Sequence, residues 1–268
     1  MYKFQAYGGG IHIYRDKVEA VTAEDSQAHC HAKYEIVYVL EGSGVCNIEG
    51  IEYPIKPRSA FLFVPFAYHS LTLDVGTIFE YITITFEEKH VTASVLDLLL
   101  RFKINDAGLT PAVFYGADVL SDQIAGIIDR FESVADFSEE HKIKFMELLL
   151  SELILLLSMP GRVRGGYDEN ELGARVIRYL NENENRDISL DELAKRFFVS
   201  KYHLCRAFKQ HNGISIHGYI TRKRVIHAKQ LIDSGETASR AAYQVGFGDY
   251  SAFYRAYVKI VGKSPTSL

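Results

Sequence analysis

Cysteine is scarce in this 268-residue chain, with only Cys30, Cys46 and Cys205. An odd, scattered set excludes a disulfide framework and fits a reducing compartment. Long uninterrupted apolar runs are missing too. The most apolar stretch, Phe145 to Met159, is broken by Glu147, Ser151 and Glu152 and is too short to span a bilayer. The opening residues Met1-Tyr2-Lys3-Phe4-Gln5 lack the apolar segment of a secretory signal. These absences predict a cytoplasmic protein with no membrane partner. A strong net charge is also absent: 30 Lys and Arg against 34 Asp and Glu leave −4, which alone argues against nucleic acid. What the chain does have is 47% hydrophobic residues, ample for real cores, at a length that suggests two domains.

The weak net charge is an average over two unlike halves. Residues 171–268 hold 16 Lys and Arg against 9 Asp and Glu, net +7, whereas residues 1–170 hold 14 against 25, net −11. A basic module on an acidic one is what phosphate neutralisation by one domain predicts.

The basic region contains a repeat. Ser200-x3-Leu204-x-Arg206-x-Phe208-x4-Gly213-x-Ser215 returns as Asp249-x3-Phe253-x-Arg255-x-Tyr257-x4-Gly262-x-Ser264, every position displaced by 49 residues. Each copy starts with a residue suited to cap a helix N-terminus. Apolar positions four apart share one face, and Gly suits the left-handed C-terminal position. Arg206 and Arg255 fall on the opposite face. A short helix and tight turn are expected before each copy, over 189–199 and 237–248, with Ala194 and Ala242 in matching roles and Gly246 in the second turn. This is the helix-turn-helix arrangement, whose second helix enters the DNA major groove. A helix over 216–232 would fix the spacing of the two units.

From about Glu171 onward the chain resembles the DNA-binding domain of the AraC/XylS family of bacterial transcription regulators. The residues that carry the likeness are Leu193-Ala194, Ser200 through Lys209, Gly213-Ile214-Ser215, Arg224-x3-Ala228-x2-Leu231-Ile232, Ala242-x2-Val245-Gly246-Phe247-x-Asp249-Tyr250-Ser251-x-Phe253-x-Arg255 and Gly262-x-Ser264-Pro265. Tyr257-Val258 departs from the family's usual Phe-Lys, and the chain stops at Leu268, short of the aromatic-basic ending of many members. The resemblance implies double-stranded DNA and a small-molecule effector as partners, a homodimer, and RNA polymerase as a further contact in activation.

Base-reading residues are expected at the second, fifth and sixth positions after each cap, since the fourth, seventh and eighth serve the core. These are Tyr202, Cys205 and Arg206 in the first helix, and Ser251, Tyr254 and Arg255 in the second, with Tyr250 at its entrance. Arginine can bond guanine O6 and N7 together, although a salt bridge or a phosphate contact is the alternative use of Arg206 and Arg255. Lys201, Lys209, Arg222, Lys223 and Arg224 are expected to position the protein on phosphates.

The N-terminal half reads as β. Short runs rich in β-branched and aromatic residues, 34–40, 45–48, 61–64 and 78–86, alternate with Gly- or Pro-containing turns, as in a barrel or jelly roll. Helices are expected over 94–102, 120–137 and 139–158. The resulting fold class is α+β: a β-barrel and helices over 1–160 (barrel about 1–92, helices about 93–160), which the family resemblance makes a cupin-like sensing and dimerisation domain, then a linker at 161–170 and an all-α domain with two helix-turn-helix motifs over 171–268.

Within the β half, His29-x-His31-x3-Glu35-x6-Gly42 matches the first motif of the cupin barrel, and Pro65-Phe66-Ala67-Tyr68-His69 resembles a shortened second motif. Residues 29, 31 and 35 share parity, so on one continuous strand they would face the same way. Three imidazoles and a carboxylate can hold a divalent metal such as Zn, Ni, Mn or Fe, line an effector pocket, or serve the fold alone. The leucine-rich helix at 139–158 is apolar nearly all round, so it needs cover either from its own barrel or from a second copy. The main reading is a ligand-responsive, sequence-specific transcription regulator and not an enzyme. The rivals are a metal-dependent cupin enzyme and a constitutive DNA-binding protein whose barrel only dimerises.

Overall fold

The computed structural model describes residues 4–8, 10–22, 29–100, 102, 113–114, 119–134, 137–159, 171–183 and 188–266. The chain divides into two compact units, 1–166 and 167–268. The linker expected at 161–170 lies outside the described residues.

The first unit holds strands β1 (Phe4–Gly8), β2 (Ile11–Val18), β3 (Tyr34–Glu41), β4 (Gly44–Ile48), β5 (Ile51–Ile55), β6 (Ala60–Phe63), β7 (His69–Leu73) and β8 (Phe79–Phe86). Helix α1 (Ala93–Leu100), a short β9 (Val113–Phe114), α2 (Val119–Ser133) and α3 (Glu139–Ser158) follow. All pairings are antiparallel, in a large sheet of order β1-β2-β8-β3-β6-β9 and a small one of order β5-β4-β7. This is a cupin-like double sheet.

The large sheet is covered on both faces, which is why β3 is apolar almost throughout. Ile36 and Tyr38 join Leu62, Ile82 and Ile84 and pack with Leu149, Leu150 and Leu153 of α3. Val37 and Val39 point the other way, into a second core with Phe61, Phe63, Cys46, Ile48 and Tyr53 between the sheets. Each such fully buried side chain contributes about 1.5–3 kcal/mol. The β4–β5 hairpin turns on Glu49 and Gly50, both at positive φ (51° and 84°), as a two-residue hairpin of this twist requires. Strands β1, β2, β5 and β7 escaped the sequence reading because they are short or mix buried and more exposed positions. The two-residue β9 carries too few residues for any periodicity.

The second unit is helical: α4 (Leu172–Glu182), α5 (Leu190–Arg196), α6 (Lys201–Asn212), α7 (Ile216–Asp233), α8 (Ala238–Gln244) and α9 (Tyr250–Val261). Five of these helices are capped by the residue the sequence offers. Ser189, Ser200, Ser215, Thr237 and Asp249 each accept from a backbone N–H three residues on. Gly213 and Gly262 close α6 and α9 in the left-handed region (φ 71° and 80°).

Helix α7, about 27 Å long at 1.5 Å per residue, serves both halves. Its Ile216 and Tyr219 join the core of α4, α5 and α6, while Val225 and Ala228 join that of α8 and α9. A Cβ on Gly173 would lie 2.4 Å from Cβ of His211, so α4 approaches α6 as closely as glycine allows.

Candidate nucleic-acid interface and barrel site

Both helix-turn-helix turns close in the same way. Phe198 N–H donates to Lys195 O and Val199 N–H to Ala194 O; Gly246 N–H donates to Tyr243 O and Phe247 N–H to Ala242 O. These are Schellman motifs, which place one residue in the left-handed region. That residue is Gly246 (φ 89°) in the second turn and Phe198 (φ 56°) in the first. Ala194 and Ala242 are buried, in equivalent places. Four residues, 197–200, separate α5 from α6, but five, 245–249, separate α8 from α9. The repeat is therefore 49 residues after the turn and 48 before it.

Leu204 and Phe208 in α6, and Phe253 and Tyr257 in α9, are buried. Arg206 and Arg255 are exposed on the far side of their helices, with Ser251 and Lys209. Tyr202 is 77% and Tyr254 42% exposed. Tyr250 is half-buried, its ring 5.7 Å from that of Phe253. Cys205 is half-buried against the first core. Nζ of Lys201 pairs with Asp191 at 2.8 Å, at an exposed position.

The cluster expected on phosphates along α7 needs correction. Arg222 is 2% exposed, its guanidinium 5.1 Å from the ring centre of Tyr219, so it is part of the core and cannot reach a duplex. Lys223 and Arg224 are half-buried, and Arg224 Nη1 donates to the carbonyl of Gly246 at 3.1 Å. Sequence reasoning missed two exposed aromatics: Phe198 at 95% and Tyr243 at 58%. Alignment of the turns at 48 residues instead of 49 would have set Phe198 opposite Gly246.

In the first unit His29, His31, Glu35 and His69 converge, with one ligand atom of each within 4.8 Å of the others. Shared strand parity is not the cause, because β3 starts only at Tyr34. His29 instead forms an isolated bridge with His69: each backbone N–H donates to the other's carbonyl, at 2.9 and 3.0 Å. His31 sits in the bend before β3, its Nε2 2.5 Å from Oε2 of Glu35. Glu35 shares the inner face of β3 with Val37 and Val39.

Burial pushes the Glu35 carboxyl up, but the hydrogen bond with His31 and the proximity of His69 outweigh this and hold it at about 2. His31 is shifted in the complementary sense: burial lowers it, while the hydrogen bond and charge of Glu35 raise it beyond the ordinary imidazole value. Glu35 also pairs across the sheet with Thr85, and Thr85 with His12, so a polar row continues along the same face.

The family model described as AraC-like ligand binding domain matches residues 19–157, more than half of the chain, and a model described as helix-turn-helix domain matches 193–268. The HTH-type transcriptional regulator YbfI of Bacillus subtilis (strain 168) is 27% identical over 233 residues, 83% of this chain and 79% of that protein. The HTH-type transcriptional activator RhaS of Enterobacter sp. (strain 638) is 23% identical over 241 residues, 90% of this chain and 86% of that protein. Among solved structures, ToxT from Vibrio cholerae O395 aligns with a TM-score of 0.39 at 13% identity over 96% of each chain. No described helix is long and apolar enough to cross a membrane. The chain belongs to the AraC family: it is a sequence-specific DNA-binding transcription regulator controlled by a small molecule through a cupin-like N-terminal ligand-binding domain.

Proposed function

We propose that α6 and α9 read two successive major-groove segments on one face of a duplex, about one helical turn or ~34 Å apart. The observation that carries this is the matched placement of Arg206 and Arg255. Each is exposed, six residues after its N-cap, across the helix from two buried core residues. Tyr202, Ser251 and Tyr254 flank them as further base or sugar contacts, Tyr250 shapes the entrance, and Cys205 adds a half-buried thiol at the helix edge. Lys201, Lys209 and Arg224 hold phosphates, the last while bound to the second turn.

The regulator works as a homodimer through α3, whose exposed Phe145 (37%), Leu148 (61%) and Leu155 (40%) recur at helical spacing on the side away from the barrel. It acts in the cytoplasm and contacts RNA polymerase, and its barrel is a sensor without turnover.

Footprinting on duplexes selected from a random pool tests the reading. Two protected major-groove segments are expected, with Arg206→Ala relaxing base preference in one and Arg255→Ala in the other. If both variants lose affinity equally on selected and random DNA, the arginines are phosphate contacts and this assignment falls.

A further inference from the structure

The His/Glu cluster is arranged for more than mutual hydrogen bonding. Nδ1 of His31 lies 2.9 Å from the carbonyl of Lys33, and Nδ1 of His69 lies 3.0 Å from the carbonyl of Ala67. A carbonyl only accepts, so both Nδ1 atoms carry protons and both rings direct Nε2 into the cluster. An imidazole anchored this way through its second nitrogen is the usual outer support of a metal ligand. The ring of His69 is also stacked on Phe63, with centroids 4.0 Å apart and planes 7° apart.

His69 is 3% exposed, and its Nε2 has no hydrogen-bond partner. That nitrogen faces Oε2 of Glu35 at 3.4 Å. A buried lone pair aimed at a carboxylate is costly unless a cation lies between them. We propose that His29, His31, Glu35 and His69 bind one divalent first-row transition-metal ion, and that this ion anchors the effector, a small anion that chelates through oxygen.

The donor set and its size fit such an ion. Metal bonds of about 2.0–2.2 Å place two ligand atoms roughly 3–4.3 Å apart, and here the four ligand atoms lie within 4.8 Å of one another. The ion displaces the proton held between His31 and Glu35. Three imidazoles and one carboxylate suit Ni, Co, Fe, Mn or Zn, and a six-coordinate ion keeps two positions for outside donors.

The class of effector follows from exposure and charge. His29 is exposed, His31 and Glu35 half-buried and His69 buried, so the cluster opens at His29. The Lys33 ammonium is close enough to act on both His31 and His12. A dication with one carboxylate ligand and a nearby ammonium is a net positive site. The row Glu35, Thr85 and His12 continues from it and offers hydrogen bonds to the rest of a polar ligand. A carboxylate with an oxygen on the adjacent carbon, a 2-hydroxy or 2-oxo acid, meets these demands.

The inference rests on the barrel being the effector domain, and the test separates the two claims. Full-length protein without an affinity tag is stripped by a chelator and titrated with cobalt(II), with visible absorption and elemental analysis as readouts. His29→Ala and Glu35→Gln are the variants, since His69 is buried and stacked on Phe63 and its loss would disturb the core; thermal melts without metal confirm that each variant is folded. One cobalt per chain is expected, with affinity lowered more than about tenfold in both variants, and oxalate or lactate should change the absorption band. Absence of stoichiometric cobalt, or equal binding by folded variants, overturns the metal site. A band indifferent to both acids overturns the effector class. DNA affinity that answers to other small molecules in the absence of cobalt binding leaves the sensor standing without the metal. A loaded, acid-responsive site with unchanged DNA affinity leaves the metal site standing and removes its sensor role.

Discussion

Arg224 on the connecting helix holds the turn of the second helix-turn-helix unit by donating from Nη1 to the carbonyl of Gly246 at 3.1 Å. A Cβ on Gly246 would lie 3.3 Å from that guanidinium, so turn and arginine are fitted to each other. Arg224→Ala should lower the stability of the DNA-binding unit by about 1 kcal/mol, as one hydrogen bond is lost. It should also weaken binding to every duplex. Denaturant melts decide: an unchanged midpoint with a shallower salt dependence would make Arg224 a phosphate contact alone.

The two Schellman turns predict opposite responses to substitution. Gly246→Ala should cost about 1–2 kcal/mol, because an L side chain pays that to enter the left-handed region. Phe198 already does so, with φ 56° and 95% exposure. Phe198→Gly relieves that strain, offset by about 0.4–1 kcal/mol of extra freedom in the unfolded chain, and should be neutral to mildly stabilising. A large loss of stability in Phe198→Gly would show that the phenyl ring packs more than its exposure indicates.

Arg206→Ala and Arg255→Ala should each cost about 1–3 kcal/mol on the preferred duplex and relax the choice of base at one position. Binding titrations over a panel of single-base variants measure both effects. Equal preference for all four bases before and after substitution would rule out base reading.

Affinity should fall steeply with salt, and Lys209→Ala should reduce the log–log slope by about one. Lys201→Ala should do the same only if its pairing with Asp191 opens on DNA. Because exposed pairs contribute little, about 0–1 kcal/mol, Asp191→Asn should leave stability nearly unchanged. A slope insensitive to both lysines would place them outside the interface.

Leu148→Glu should dissociate the proposed α3 dimer without unfolding the barrel, since Leu148 is 61% exposed while Leu149 and Leu150 carry the buried contacts. Sedimentation should show monomers, and binding to a two-half-site operator should weaken far more than binding to one half-site. A dimer that persists through Leu148→Glu and Leu155→Glu would move the interface off α3.

The two helix-turn-helix units were legible because their determinants are local. Caps at Ser200 and Asp249, apolar positions four apart and glycines at Gly213 and Gly262 act within one or two helical turns, so their spacing survives in the bare chain. The bounds of α3, expected over 139–158 and found at Glu139–Ser158, were visible for the same reason. Arg222 was misread because helical spacing alone cannot tell which charged residue of an amphipathic helix turns inward to meet Tyr219.

The sequence by itself determined that the chain carries two helix-turn-helix units behind a β domain, and that His29, His31, Glu35 and His69 form one candidate set. Tertiary structure decided how that set meets. A strand's parity holds only while the strand continues, and here the chain bends before Tyr34, so the bridge between His29 and His69 supplies the convergence. It also decided which side of α3 stays open, because a helix apolar on nearly every side shows its free face only once Leu149, Leu150 and Leu153 have been covered by the large sheet. Contacts within a turn are encoded by spacing; contacts between distant segments exist only after the competing faces have been packed.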